Sequence, residues 1–188
     1  SLMGYGNYLN DGNTPPNYSV YDKYYLGWLE PEVLAQTKTL EIPADGQTTY
    51  MLASNEKHVV DGACRTDTVY YIENRQQEGW DAYLPGHGML IWRVIFNEED
   101  WYQNCPNDYV ARYRLISAKK ISSPYTTTKP KPEVPFPGSS NVTEYAPFSH
   151  NKIENIQETN GLITCDFITT TVSSDVENIE VPLTGIWY

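Results

Sequence analysis

Two short stretches of the sequence carry oxygen ligands of the kind that calcium prefers. Asp11 and Asn13 lie in NDGN near the start, and Asn97, Glu98 and Asp100 lie in NEED. Calcium takes about six to eight oxygen ligands at once, typically from carboxylates and amides. Neither stretch has EF-hand spacing, and short acidic loops are usually just solvated. Calcium binding at these residues is therefore one hypothesis, and solvated acidic loops are the plainer interpretation.

The three histidines do not form a zinc-binding motif. Zinc peptidases of the zincin type use two histidines four apart on one helix face, with a glutamate between them as general base. The sequence contains no His-Glu-x-x-His, and His58, His87 and His150 are too far apart to replace it on one helix. The spacing of the three histidines does not support an independent metal-dependent hydrolase that uses them. For His87, flanked by glycines in PGHGM, we predict that its hydrogen bonding locks the turn.

The opening residues match a turn found under the metal of some zinc peptidases. The chain begins SLMGY, and Ser1, Met3 and Tyr5 fit the pattern Ser-x-Met-x-Tyr of the methionine turn in astacins and serralysins, which are metzincins. The resemblance implies that Met3 supports the zinc site by packing without ligating zinc. It also implies a catalytic role for Tyr5, because a phenol donor can stabilise the oxyanion of the transition state.

Longer blocks extend the resemblance over most of the chain. The sequence contains SLMGYGNYLNDGNTPPNYSVYDKYYLGWLEP, then YYIENRQQEGWDAYLPGHGMLIWRV, then FPGSSNVTEYAPFS and IENIQETNGLITCDF. These blocks resemble, in order, the carboxy-terminal half of the immune-inhibitor-A-like secreted zinc metallopeptidases of bacteria. The resemblance implies a zinc-dependent endopeptidase that hydrolyses proteins or peptides, is secreted or at the cell surface, and often holds structural calcium.

The zinc motif of that family lies upstream of the methionine turn. We therefore expect this chain to begin just after its own zinc ligands, to be inactive alone, and to act with the amino-terminal half of the same peptidase. Residues 1–170 would be the carboxy-terminal subdomain of the catalytic domain. Residues 171–188 would be a linker or the start of a sorting segment, because 177–188 resemble the beginning of a Bacteroidetes carboxy-terminal sorting segment.

Composition excludes some partners. The formal net charge of −11 argues against binding nucleic acid through a basic surface. No apolar stretch approaches the roughly 20 residues that span a bilayer, and no signal segment lies in this stretch. Cys64, Cys105 and Cys165 allow one disulfide and a buried thiol, or three buried thiols, of which the second is the plainer interpretation.

The elements that position these residues are mostly strands. The spacing in VYDKYYLGWL predicts a short helix over 20–29, capped by Asn17 or Ser19 and ended near Gly27. KTLEIPA, TTYMLAS, TVYYIENR and GMLIWRVIF read as strands, the last buried on both faces, whereas YVARYRLISA is either a short strand or a helix. IENIQETNGLITCDFITTTV predicts a hairpin at Asn160-Gly161. SPYTTTKPKPEVPFPGSS predicts a long surface loop.

The fold class that follows is α+β, mostly β. We predict a short amino-terminal helix on one twisted, largely antiparallel sheet with long loops, which the resemblance makes the carboxy-terminal portion of a zincin-type peptidase. Glu73 and Arg75 are predicted to form a buried ion pair that braces the sheet. Trp28, Trp80 and Trp101 are predicted to fill the core or a subdomain seam, although they could form a sugar-stacking platform. The alternative function is an extracellular binding or adhesion module without catalysis.

Overall fold

The computed structural model describes residues 5–53, 58–60, 63–65, 68–108, 111–119 and 132–170. The predictions for Met3 and for residues 171–188 lie outside this part of the chain. Strands predominate, and the helices are few and short, so the mostly β, α+β composition is confirmed. None of the helices in the described ranges combines the length and the apolarity that crossing a membrane requires.

The helical elements are a kinked 3-10 segment at Tyr5–Gly12, helix α1 at Val20–Tyr25, a 3-10 turn at Gly79–Asp81 and helix α2 at Glu98–Tyr102. The strands are β1 Glu32–Val33, β2 Lys38–Ile42, β3 Tyr50–Ala53, β4 His58–Val60, β5 Ala63–Arg65, β6 Thr68–Arg75, β7 Gly88–Ile95, β8 Tyr113–Ile116, β9 Tyr145–Phe148, β10 Asn151–Thr159 and β11 Leu162–Thr169. The four strands read from alternation and apolar runs are thus confirmed as β2, β3, β6 and β7, and YVARYRLISA supplies strand β8.

The strands form two main sheets and one small ribbon, where a single sheet was predicted. One sheet has five strands in the order β1-β3-β6-β7-β8, and the other has four in the order β2-β11-β10-β9. Strands β4 and β5 pair with each other. Among the described strands, the pairings are antiparallel except that of β1 with β3. The alternation along each strand predicts two faces but not which strands share a sheet, which is why the division was missed.

The two main sheets pack face to face as a sandwich. One buried cluster joins Tyr70 and Ile72 of β6 to Ile153 of β10 and Phe167 of β11. The amide of Asn74 also joins the sheets, because its Nδ2 donates to the carbonyl oxygens of Ile42 and Gly161, each at 2.7 Å. An apolar core and a satisfied buried amide together fix how the sheets are stacked.

Helix α1 covers the other face of the five-stranded sheet. A second buried cluster contains Val20 and Tyr21 of α1 with Tyr71 and Trp92 of β6 and β7. The five-stranded sheet is therefore covered on both faces in its middle, as the apolar run GMLIWRVIF predicts. The placement of a short amino-terminal helix on a sheet is confirmed.

Local sequence signals set the start and end of α1. Ser19 Oγ accepts from the Asp22 amide at 3.1 Å, and Asp22 Oδ2 accepts from the Ser19 amide at 3.1 Å, which is a capping box. The helix ends at Tyr25, earlier than predicted, and Gly27 follows with a φ of 70° that suits glycine.

The carboxy-terminal hairpin agrees with the sequence, but part of the proline-rich segment does not. Asn160 and Gly161, at φ 51° and 79°, form the turn between β10 and β11. Phe136 was assigned to a surface loop, yet it is 2% exposed and bridges Met89 of β7. Its apolar ring fills the sandwich core beside Tyr145, which explains why this part of the segment is held inward. Residues 123–131 of the same segment lie outside the described part.

Candidate functional site

A buried charged network lies on the helix-covered side of the sheet, at one end of β6. Arg75 is 7% exposed, Glu73 is 4% exposed and Asp81 is 6% exposed. Arg75 Nε lies 3.2 Å from Glu73 Oε1, and its Nη1 lies 3.4 Å from Asp81 Oδ1. The predicted buried ion pair of Glu73 and Arg75 is confirmed, and Asp81 adds a second carboxylate to it.

The network holds the segment that leads from the opening residues to helix α1. Arg75 Nη1 donates to the Asn17 carbonyl at 3.0 Å, and its Nη2 donates to the Tyr18 carbonyl. Asp81 accepts from the Asn17 amide at 2.9 Å and from its side-chain Nδ2 at 3.2 Å. Arg75 thus binds the carbonyl groups of Asn17 and Tyr18, and Asp81 binds the backbone amide of Asn17.

Electrostatics keep this network charged. Burial disfavours the guanidinium cation, but the adjacent carboxylates of Glu73 and Asp81 outweigh it and raise the pKa of Arg75 above its usual range. Glu73 Oε1 also accepts from the indole Nε1 of Trp92 at 2.7 Å. Buried charges that are paired and hydrogen-bonded in this way become costly when one partner is removed.

The same segment is joined to the edge strand β8 through a side-chain contact. Ser19 Oγ lies 2.6 Å from the phenolic oxygen of Tyr113. Tyr21 packs on Tyr71 and on Tyr113 with ring centroids 5.4 and 5.2 Å apart. The start of α1 is therefore fixed by the charged network on one side and by packed tyrosines on the other.

A polar cavity of about 300 Å³ opens beside the network. Its wall includes Asn17, Lys23, Asp45, Glu73, Arg75 and Asp81. The 3-10 turn at Gly79–Asp81 forms part of its edge, and within that turn Trp80 is 60% exposed. Carboxylates, amides and cations meet in this cavity.

The opening residues that carry the peptidase resemblance are only partly described. Tyr5 begins the 3-10 segment, but its side chain lies outside what the structure describes, as Met3 does altogether. The segment Tyr5–Gly12 forms 3-10 turns broken by a kink at Leu9–Asp11, where Asn10 and Asp11 have φ of 50° and 54°. The roles of Met3 and Tyr5 at a zinc site stay predictions.

The residues predicted to bind calcium have other contacts. Asn97 Oδ1 accepts from the Asp100 amide at 3.0 Å and caps helix α2, and Asp100 forms an ion pair with Arg112. Asn13 Nδ2 donates to the Asn10 carbonyl at 2.9 Å, and Asp11 is exposed. Glu98 lies exposed in the first turn of α2. These contacts favour structural roles, and calcium at either stretch stays a prediction.

The histidines are not gathered into one site by the described structure. His87 Nδ1 lies 2.7 Å from Glu158 Oε1, so its hydrogen bond reaches strand β10 and does not close its own turn. The ring of His150 stacks on Phe148 with centroids 5.7 Å apart. The side chain of His58, like that of Cys64, lies outside the described atoms. Within the described residues, no group of three or more His, Cys, Asp and Glu side chains could hold a metal ion.

Two of the three tryptophans differ from the prediction. Trp101 packs against the cluster under α1, as a core residue would, whereas Trp28 is 62% exposed and Trp80 is 60% exposed. The ring of Trp28 meets that of Tyr18 edge-on, with centroids 5.5 Å apart. Both exposed indoles lie in turns, and neither fills the core.

Asp81 is the member of the network that sequence reasoning missed. Its type alone, an acid after an exposed aromatic in EGWDAY, suggests a surface position. The available signal was the predicted burial of Arg75, because a buried guanidinium needs more acceptors than one carboxylate supplies.

Comparison of the chain with protein-family models, with curated proteins and with solved structures found no match in any of the three.

Proposed function

We propose that this chain is the non-ligating, carboxy-terminal part of a secreted zinc-dependent endopeptidase that hydrolyses proteins. The observation that carries the proposal is the clamp of Arg75 and Asp81 on Asn17 and Tyr18. A rigid sandwich that grips the segment after SLMGY suits a part whose task is to hold a turn under an active site. Support of this kind matters because displacement of about 1 Å can cost about 100-fold in rate.

The described residues do not themselves form a zinc site. The sequence has no His-Glu-x-x-His, and no described cluster of acids, histidines and cysteines could hold a metal. Zinc would be held by the amino-terminal half of the same peptidase, so this chain's residues contribute position rather than ligands. The role proposed for Met3 is packing under that site, and the role proposed for Tyr5 is hydrogen bonding to the oxyanion.

The test uses the natural polypeptide that contains this chain. We expect that polypeptide to bind zinc and to hydrolyse casein, and we expect Tyr5→Phe to lower kcat with little change in zinc content, because only the phenol donor is lost. Tyr8→Phe is the matched control, since Tyr8 lies in the same segment and is 73% exposed. A natural product that binds no zinc and cleaves no protein, or equal losses in the two variants, would overturn the proposal.

A second candidate, an extracellular module that binds a glycan, is favoured by one observation. The indoles of Trp28 and Trp80 are exposed, and Trp80 directly precedes Asp81, which lines the polar cavity. Indole faces stack on sugar rings, and carboxylates and amides bind their hydroxyl groups. Screening this chain against immobilised glycans, with Trp80→Ala as the test and Tyr102→Ala as a control at another exposed ring, distinguishes the candidates. Binding that Trp80→Ala abolishes supports the module, and an absence of binding rejects it.

A further inference from the structure

Two arginines stand side by side on neighbouring strands at one edge of the sandwich. Arg93 of β7 is the direct partner of Arg114 on the edge strand β8, and on its other side it pairs with Tyr70 of β6. Directly opposed residues of an antiparallel pair have Cβ atoms about 4.5–5.5 Å apart and point to the same face. The two guanidinium groups therefore share one face of the sheet, on the side of the four-stranded sheet.

Neither cation is balanced within the described structure. In the described part of the chain, every carboxylate that forms an ion pair does so with another cation, and none pairs with Arg93 or Arg114. Arg93 Nη2 donates to the Ala111 carbonyl at 2.8 Å, but its Nε is buried without an acceptor among those same residues. Two adjacent cations without an acid are unexpected in a chain with a net charge of −11.

Phenol groups complete the cluster. The rings of Tyr70 and Tyr145 lie with centroids 6.0 Å apart, and Tyr145 comes from β9, the edge strand of the other sheet. Burial lowers the pKa of Arg93, and the neighbouring Arg114 lowers it further. Burial raises the pKa of Tyr145, whereas the charges of both arginines act to lower it. Tyr70, the cross-strand partner of Arg93, therefore connects the arginine pair to Tyr145 of the other sheet.

We infer that Arg93 and Arg114, with the phenol of Tyr145, form a binding site for an oxyanion. A planar guanidinium matches the paired oxygens of carboxylate, sulfate and phosphate groups. A bound oxyanion would neutralise the repulsion between the two cations. Arg114 and Tyr145 are half-buried, so the site is reachable from solvent.

Thermal unfolding of this chain in different anions tests the inference. Sodium sulfate, phosphate and acetate are each compared with chloride at matched ionic strength, so that general screening is held constant. We expect at least one oxyanion to raise the Tm of the wild type, because a ligand that binds only the folded state stabilises it. Arg93→Gln and Arg114→Gln should each abolish that extra shift. A response to sulfate and phosphate alone identifies a tetrahedral ligand, and a response to acetate identifies a carboxylate.

Lys152→Gln is the matched control. Lys152 is also a cation near this edge, but it is already paired with Glu144 at 3.3 Å, so its loss should leave the anion effect unchanged. If Arg93→Gln does not fold, Arg114→Gln on the edge strand still decides the outcome. NMR shifts of the arginine Nε–H groups during sulfate addition provide a direct readout. Equal anion effects in the wild type and in both arginine variants, or no oxyanion effect at all, would overturn the inference.

Discussion

Arg75 and Arg93 lie on neighbouring strands of the same sheet in opposite electrostatic surroundings. Arg75 faces helix α1 between two carboxylates, which raise its pKa against the effect of burial. Arg93 faces the other sheet beside Arg114, and burial and that second cation lower its pKa. Both guanidinium groups donate to backbone carbonyls, but Arg75 is paired with two buried carboxylates, whereas none of the described carboxylates pairs with Arg93.

Removing the balanced cation should have the largest effect. Arg75→Met leaves Glu73 and Asp81 buried without their cation and frees the carbonyls of Asn17 and Tyr18. We expect the free energy of unfolding to fall by about 3–5 kcal/mol, the usual cost of breaking a buried ion pair. Urea denaturation measures the loss.

The matched control is Lys38→Met. Lys38 pairs with Glu32 at 2.6 Å on the surface, where the side chains are 39% and 55% exposed. Exposed pairs contribute about 0–1 kcal/mol. If Arg75→Met lowers the free energy of unfolding no more than Lys38→Met does, Arg75 does not hold the segment at Asn17 and Tyr18. The contrast drawn between Arg75 and Arg93 would then be wrong.

High pH should weaken the same helix-covered side. Burial raises the pKa of Tyr21, Tyr71 and Tyr113 above the ordinary value of 10.0. The folded protein keeps these phenols neutral, whereas the unfolded chain ionises them above about pH 10. Their contribution to the free energy of unfolding is therefore complete below pH 10 and is lost as the pH rises above it. Each tyrosine contributes about 1.4 kcal/mol of loss per pH unit.

Circular dichroism and tyrosinate absorbance, followed together, measure this effect. We expect the buried tyrosines to ionise only as the protein unfolds, so the later part of the absorbance change should coincide with the loss of structure. Complete ionisation in a protein that is still folded would contradict the burial described for the tyrosines around α1.

The local pattern of the chain predicted its elements well. Alternation and apolar runs predicted strands β2, β3, β6 and β7, and Asn160-Gly161 predicted the hairpin of β10 and β11. Ser19 was one of the two predicted caps of α1. The short strands β1 and β9 were not predicted. Each of these signals acts within a few residues. The ion pair of Glu73 and Arg75 was also foreseen, because the two residues share one face of a strand that is otherwise apolar.

The features that the sequence did not predict depend on contacts between residues far apart in the chain. The assignment of strands to two sheets depends on contacts between residues far apart, such as Cys165 beside Leu40. Asp81 joins the network only because the turn at Gly79–Asp81 folds back on Asn17, which no local pattern encodes. The cross-strand neighbours Arg93 and Arg114 belong to separate stretches, so their pairing too became visible only from the sheet register.

Removing the charge of Asp81 while keeping Arg75 should lower the free energy of unfolding moderately. Asp81→Asn keeps the shape of the side chain but removes its charge and one of the oxygens that bind Asn17. We expect a loss of about 1–3 kcal/mol, the range for a buried group left without a partner. The opening segment should also be cleaved faster at Tyr8 by chymotrypsin, since that ring is 73% exposed and the nearby anchor is loosened.

Asp45→Asn is the control for this change. Asp45 is exposed, and it caps its own turn by accepting from the amides of Gln47 and Thr48 at 2.8 and 2.7 Å. Its substitution should not alter cleavage at Tyr8. Identical cleavage rates in the two variants would mean that Asp81 stabilises the sheet but does not fix the opening segment.

The smallest expected effect has the opposite sign and completes the comparison. In chloride buffer at low salt, Arg114→Gln removes a cation that faces Arg93 directly, and like charges in this position are destabilising. We expect the free energy of unfolding to rise by about 0.2–1 kcal/mol, and the gain to shrink as salt screens the repulsion. Arg114→Lys keeps the charge and should show no gain. Urea denaturation of the three proteins side by side measures the difference. A loss of stability in Arg114→Gln comparable to that of Arg75→Met would show that Arg114 is balanced like Arg75, and the contrast between the two faces of the sheet would fail.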